Sequence, residues 1–317
     1  MVEGVEFRQR VMLGGFAQEV SVRGAEATNP LLLILHGGPG LAEMPLFATY
    51  NSELEDHFLV AHWDQRGAGR SYDAGLPAES MTLRQFVADA IELIDVLTEH
   101  FGQEKVYLLG HSWGTLFGAM VASEYPEKVH AYIGAGQLVA GRRAARTSYE
   151  FTVRKAIEQH NDEAIAALRQ IEERRSAGGL TFAELTVQRG WLNHFGGTVN
   201  GSRDALFARI EPELQKEYFG ELRDVAQEFS FGHLMQETLA TDLQLTARTF
   251  EVPIHLCVGR YDQVTPTEQA VEYFEAIEAP SKQLHWFENS AHFMPFEEAA
   301  KFNALMAGLA LENRSSS

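Results

Sequence analysis

Val106-Tyr107-Leu108-Leu109-Gly110-His111-Ser112-Trp113-Gly114 runs from an apolar tetrad through a glycine-flanked serine to the start of an apolar helix pattern. Four apolar residues without polar alternation predict a strand buried on both faces of a parallel sheet. The residues from Ser112 to about Tyr125 predict a helix that stops near Pro126. Between them lies Gly-x-Ser-x-Gly in a turn too tight for ordinary side chains. Glycine at 110 and 114 removes the atoms that would collide with neighbouring backbone. The serine is left in a strained conformation with its hydroxyl above the sheet, at a helix amino end where the dipole favours developing negative charge.

The same alternation extends in both directions. Upstream, Val5 to Leu13 and Phe16 to Val22 predict a hairpin turning at Gly14-Gly15. Leu31 to Leu35 and Phe58 to Trp63 predict further buried strands. Thr82 and Gln85 predict a capping box, Gly102 a helix stop, and Leu83, Phe86, Val87, Ala90, Ile91, Ile94 and Leu97 one apolar helical face between them. Downstream, Val129 to Ile133 and Val252 to Val258 predict strands. A helix from Thr267 to Ile277, a strand from Lys282 to Phe287 and a helix from Pro295 to Leu311 complete the pattern. The stretch from Leu138 to Thr249 differs: it carries helical patterns only, for example Asn161 to Arg175 with Asn161 as N-cap. The expectation is an α/β domain in two parts, 1–137 and 250–314, interrupted by an all-helical cap at 138–249, with a short serine tail at 315–317. A cap of this kind belongs at the carboxyl edge of the sheet, where open α/β folds place their sites.

A serine hydroxyl needs a base to become a nucleophile. In this type of fold the acid and the histidine follow the serine in that order. Asp262 follows the strand ending at Val258, and His292 follows the strand ending near Phe287, so both belong to the rim that carries Ser112. The loop after the Val129 strand, Gly134-Ala135-Gly136-Gln137, offers no carboxylate. The expected catalytic set is therefore Ser112, Asp262 and His292. Two backbone N–H groups should face the developing oxyanion: that of Trp113, and that of Gly38 in His36-Gly37-Gly38-Pro39-Gly40, since Pro39 has none. Asp64-Gln65-Arg66-Gly67 reads as architecture, with Asp64 and Arg66 holding loops through charge-assisted bonds.

Composition narrows the rest. The 44 acidic residues outnumber the 26 basic ones, for a net charge of −18, which disfavours nucleic acid and anionic membranes as partners and reads first as solubility. No apolar run reaches the roughly 18 residues needed to span a bilayer. A single cysteine, Cys257, and no leader-like amino end fit a cytoplasmic protein. No metal-ligand spacing and no Lys-Ser/Thr phosphate loop occurs, so neither metal nor cofactor is expected. The expected partner is a small-molecule substrate: a short peptide, an amino-acid amide or an ester. Serine at 112 argues against halide- or epoxide-type chemistry, which would need an aspartate there. A carboxylesterase, or a lyase or ligand receptor built on the same scaffold, remains an alternative.

Taken together, His36-Gly37-Gly38-Pro39-Gly40, Asp64-Gln65-Arg66-Gly67-x-Gly69-Arg70-Ser71, Gly110-x-Ser112-Trp113-Gly114 and Gly259-Arg260-Tyr261-Asp262 resemble the proline iminopeptidase (prolyl aminopeptidase) family of α/β hydrolases. The resemblance covers about two thirds of the chain. It implies an α/β-hydrolase fold, the triad Ser112, Asp262 and His292, an oxyanion hole at Gly38 and Trp113, and aminopeptidase activity without a cofactor. Two features depart from the family. Ala291 stands before His292 where the family has glycine. The cap has Trp191 with no adjacent glutamate, and Glu150, Glu211, Glu213, Glu217 and Glu237 read as solvated surface, so no clamp for a substrate amine is assigned.

Overall fold

The computed structural model describes residues 4–177 and 181–314; the serine tail expected at 315–317 lies outside the described residues. The chain opens with β1 (Val5–Leu13), β2 (Phe16–Gly24), β3 (Leu31–Leu35), α1 (Met44–Tyr50) and β4 (Leu59–Trp63). It continues through α2 (Leu83–Phe101), β5 (Val106–His111), α3 (Gly114–Glu124) and β6 (Val129–Ala135). Seven helices follow: α4 (Gly141–Glu158), α5 (Asp162–Ala177), α6 (Phe182–His194), α7 (Arg203–Phe207), α8 (Pro212–Phe219), α9 (Glu221–Ala240) and α10 (Leu243–Thr246). The chain closes with β7 (Ile254–Gly259), α11 (Thr267–Ala276), β8 (Lys282–Phe287), α12 (Met294–Glu297) and α13 (Ala299–Arg314).

The eight strands form one sheet in the order β1-β2-β4-β3-β5-β6-β7-β8. β1 and β2 pair antiparallel, β2 pairs antiparallel with β4, and every later pair is parallel. Burial follows from position. The central strands β3, β4 and β5 are buried along their whole length, whereas the edge strands β1 and β8 are not. Successive side chains of β3 serve two separate cores, as strand pleating requires. Leu31, Leu33 and Leu35 pack with α2 and α3 through Phe86 and Phe117. Leu32 and Ile34 pack with α1 and α13 through Phe47 and Phe302. Helix α3 is buried from Gly114 through Ala122, which explains why its apolar residues show no single face.

All seven helices α4 to α10 are inserted between β6 and β7, and the ends of the insertion are pinned to each other. Ala140 and Asp242 form an isolated bridge, Gly141 N–H donates to Thr241 O at 3.1 Å, and Leu243 N–H donates to Val139 O at 2.9 Å. Two local expectations change. Thr82 Oγ1 accepts from Gln85 N–H at 3.2 Å, but the Gln85 amide donates to Asp89 Oδ1 at 2.7 Å instead of completing a capping box. The closing helix is two helices, because Glu298 leaves helical angles (φ −117°, ψ 52°). Its carboxylate turns back to Asn289 N–H at 3.0 Å and Ser290 Oγ at 2.7 Å.

Candidate active site

Ser112 sits at φ 54°, one of two described non-glycine residues with positive φ. Its N–H donates to Ala135 O at 2.9 Å, which ties the turn to the neighbouring strand. The flanking glycines are sterically required. A Cβ on Gly114 would lie 2.1 Å from Leu35 O, and one on Gly110 would lie 2.8 Å from Thr115 Cα. The strain of the elbow is therefore over-determined by close backbone packing.

The loops after β7 and β8 bring two more groups to this rim. Asp262 Oδ1 accepts from the N–H groups of Val264 at 2.8 Å and Thr265 at 3.0 Å, and Oδ2 accepts from Thr265 Oγ1 at 2.9 Å. That leaves Oδ2 one further partner, His292 Nδ1 at 2.8 Å. On the other side of the ring, Nε2 lies 2.7 Å from Ser112 Oγ. A carboxylate accepts only, so Nδ1 carries the proton and Nε2 is free to accept from the serine hydroxyl. Asp262 and His292 are almost wholly withdrawn from solvent, at 1% and 4% exposure, which strengthens their interaction.

Gly38 follows β3 at φ 117°. Its neighbour Gly37 has already donated its N–H to Glu43 Oε2 at 2.9 Å, and a Cβ on Gly37 would lie 3.0 Å from Ser112 Cβ. The loop therefore abuts the elbow, and Gly38 is its next donor. Trp113 caps the amino end of α3, where first-turn N–H groups lack helical acceptors. Its indole Nε1–H donates to Thr238 Oγ1 of α9 at 2.9 Å, joining the elbow to the inserted helices.

Three residues behind these groups escape the sequence reading. Glu43 accepts from His111 Nδ1 at 2.8 Å as well as from Gly37, while His111 Nε2 lies 3.2 Å from His292 O. Burial pushes the Glu43 carboxyl up, but the adjacent His111 imidazole outweighs it and the net shift is down; burial pushes His111 down, and Glu43 reverses that too. Both nitrogens of His111 face acceptors, an arrangement that suits the charged imidazole beside the Glu43 carboxylate. Glu297 grips the N–H groups of Ala291 at 3.1 Å and Phe293 at 3.0 Å, on either side of His292. Burial raises its carboxyl to about 7 against these bonds. The signal for Glu43 was present: it is a lone acid within Leu41-Ala42-Glu43-Met44-Pro45-Leu46-Phe47, and an acid in such a run is buried only with a partner.

Asp64 and Arg66 hold loops together. Arg66 is 1% exposed; Nε and Nη2 reach Asp89 at 2.9 and 3.0 Å, and Nη2 also donates to Leu13 O at 2.8 Å. Asp64 Oδ2 accepts from Arg70 N–H at 2.9 Å. Over Ser112 lies a cavity of about 710 Å³, lined below by Gly38, Ser112 and His292 and above by α6 and α9 through Phe182, Arg189, Phe231 and Met235. Of the carboxylates on the inserted helices, Glu217 pairs with Arg70, Glu150 with Arg146, and Glu237 accepts from Leu83 N–H, and none of these three lines the cavity, whereas Asp224 of α9 does. Among the described residues no group of three or more metal-ligating side chains occurs, and no helix is long and apolar enough to cross a membrane.

Comparison with known proteins places the fold. A family model described as the alpha/beta hydrolase fold matches residues 30–299. The probable aminopeptidase YbaC of Bacillus subtilis is 30% identical over 319 residues, covering 95% of each chain. A proline iminopeptidase of Heyndrickxia coagulans is 22% identical over 275 residues, covering 87% of this chain and 88% of the relative. The crystal structure of a Mycobacterium smegmatis proline iminopeptidase superposes with a TM-score of 0.71 at 20% identity, covering 96% of this chain and 98% of the other.

Proposed function

The chain belongs to the α/β hydrolase fold family, and we propose that it is a serine hydrolase of the proline iminopeptidase-like, aminopeptidase type, acting on a small amide through an acyl-enzyme. One observation carries the reading: His292 bridges Asp262 and Ser112 at 2.8 and 2.7 Å. At these distances the imidazole can take the Ser112 proton while its own charge is met by Asp262. Ser112 Oγ bonds to the substrate carbonyl carbon, and the oxygen becomes an anion facing the N–H groups of Gly38 and Trp113. His292 then passes the proton to the leaving nitrogen as the C–N bond breaks. Water, deprotonated by the same histidine, attacks the acyl carbon, and His292 returns that proton to Ser112 Oγ as the ester C–O bond breaks. The helices of 138–249 act in this reading as a cap that roofs the cavity and selects the substrate.

The peptidase side of the reading is supported by the relatives' names, a probable aminopeptidase and proline iminopeptidases. A carboxylesterase is the second reading, favoured by one feature: both carboxylates lining the cavity, Glu43 and Asp224, already have partners. Ser112→Ala should lower hydrolysis by at least about 10⁴-fold without changing the melting temperature by more than a few degrees. Turnover of proline p-nitroanilide and of p-nitrophenyl butyrate by the unaltered protein separates the two readings. Preference for the anilide supports the aminopeptidase, preference for the butyrate supports the esterase, and turnover retained in Ser112→Ala defeats both.

A further inference from the structure

The charge inside the cavity runs against the charge of the chain. The protein carries −18, yet Arg189 of α6, Arg203 of α7 and Arg223 of α9 line the space over Ser112. Two carboxylates line it with them, and both are engaged. Glu43 holds His111 and Gly37, and Asp224 Oδ1 accepts from Arg223 Nε at 2.9 Å and Nη2 at 2.6 Å. Arg189 has a neutral partner, donating from Nη1 to Ser148 Oγ at 2.9 Å. Arg203 lies over the Phe207 ring at 4.6 Å. Among the described residues neither forms an ion pair within 4 Å.

Such an arrangement costs free energy. Burial pushes the Arg189 guanidinium down to about 10, with the Asp262 charge working the other way. Burial also lowers Arg203 and the positive charge of Arg223 lowers it further, with the Asp204 charge working the other way. Both remain cations at neutral pH, and a partly desolvated cation is tolerated poorly unless an anion completes it. A substrate ammonium would meet three guanidinium groups and no unengaged carboxylate. A carboxylate would meet planar donors suited to paired hydrogen bonds. Arg189 lines the same cavity as Ser112 and His292. The remaining wall is apolar through Phe182, Phe231 and Met235, and the volume of about 710 Å³ lies within the range for a small ligand.

We propose that the cavity reads the substrate's free carboxylate through Arg189, with Arg203 as a second cation, so that the substrates are short peptides recognised by their carboxyl end. The inference rests on the reading of Ser112 as nucleophile only in placing the scissile bond beside this carboxylate site. A hydrolase of this kind selects by the leaving side of the peptide, and its cavity offers the amino end no unengaged carboxylate.

The test is equilibrium binding to the full-length Ser112→Ala protein, whose turnover should be too slow to consume the ligand during the measurement. Calorimetry compares alanyl-phenylalanine with its C-terminal amide. The acid should bind at least about tenfold tighter than the amide, the effect of roughly one charge-assisted contact. Arg189→Gln in the same background should shrink the gap to about threefold or less, and Arg189→Lys should restore part of it. Equal binding of acid and amide, no binding of either, or a gap that survives both Arg189→Gln and Arg203→Gln overturns the proposal. Turnover by the protein with Ser112 intact is read separately. If no peptide, amide or ester is hydrolysed while the acid preference stands, the hydrolytic reading falls and the carboxylate site remains.

Discussion

Glu43 is 1% exposed and bonded on both oxygens, to His111 Nδ1 and to Gly37 N–H. Through His111 it reaches the backbone of His292, so one carboxylate joins the loops that carry Gly38, Ser112 and His292. Glu43→Gln keeps the volume but offers one acceptor where two donors point, and should cost about 3 kcal/mol. The sign of its pH dependence follows from the two shifts. The lowered Glu43 contributes stability above its ordinary 4.5 and loses it as pH falls through its depressed folded value. The raised His111 contributes fully below 6.5 and loses it as pH rises through its elevated folded value. Chemical denaturation of both proteins across pH should therefore show the gap widest between 4.5 and 6.5 and narrower in alkali. A gap that keeps growing as pH rises above 6.5 would contradict the ion pair.

At the scale of elements, the Arg66–Asp89 pair shows how a loop after β4 is fixed to its surroundings. Both side chains are essentially buried, at 1% and 0% exposure, and Arg66 also binds the hairpin carbonyls of Leu13 and Gly14. Asp89→Ala leaves a buried guanidinium uncompensated and should cost about 3–5 kcal/mol in urea unfolding. A loss below about 1 kcal/mol would mean that water already solvates Arg66. The same elements show what sequence can reveal. β1, β3 and β8 match their expected ranges because each is an unbroken or alternating apolar run bounded by turn residues. Strands β5 and β6 extend two residues beyond expectation, to His111 and Ala135, since polar or small residues continue a ladder whose register is already fixed. Helix α1 and the break at Glu298 were illegible. The first has no side-chain N-cap, and the second is decided by tertiary bonds to Asn289 and Ser290.

At the scale of the molecule, the sheet brings residues 112, 262 and 292 to one rim. Chain order and strand ends made that convergence legible, because each residue follows a parallel strand of the sheet by a few positions. The roof was not legible in the same way. Arg189, Arg203 and Arg223 sit on three helices, and nothing in helical periodicity says that they face one cavity. Their role emerges only from packing of the inserted helices over the rim.

The central claim is that this convergence activates one serine, and covalent labelling measures it directly. After brief exposure to a fluorophosphonate, intact mass and peptide mapping should find a single adduct on Ser112, with the labelling rate falling by at least about 10³-fold in His292→Ala. An adduct on another residue, or labelling of Ser112 at an undiminished rate without His292, would contradict the account.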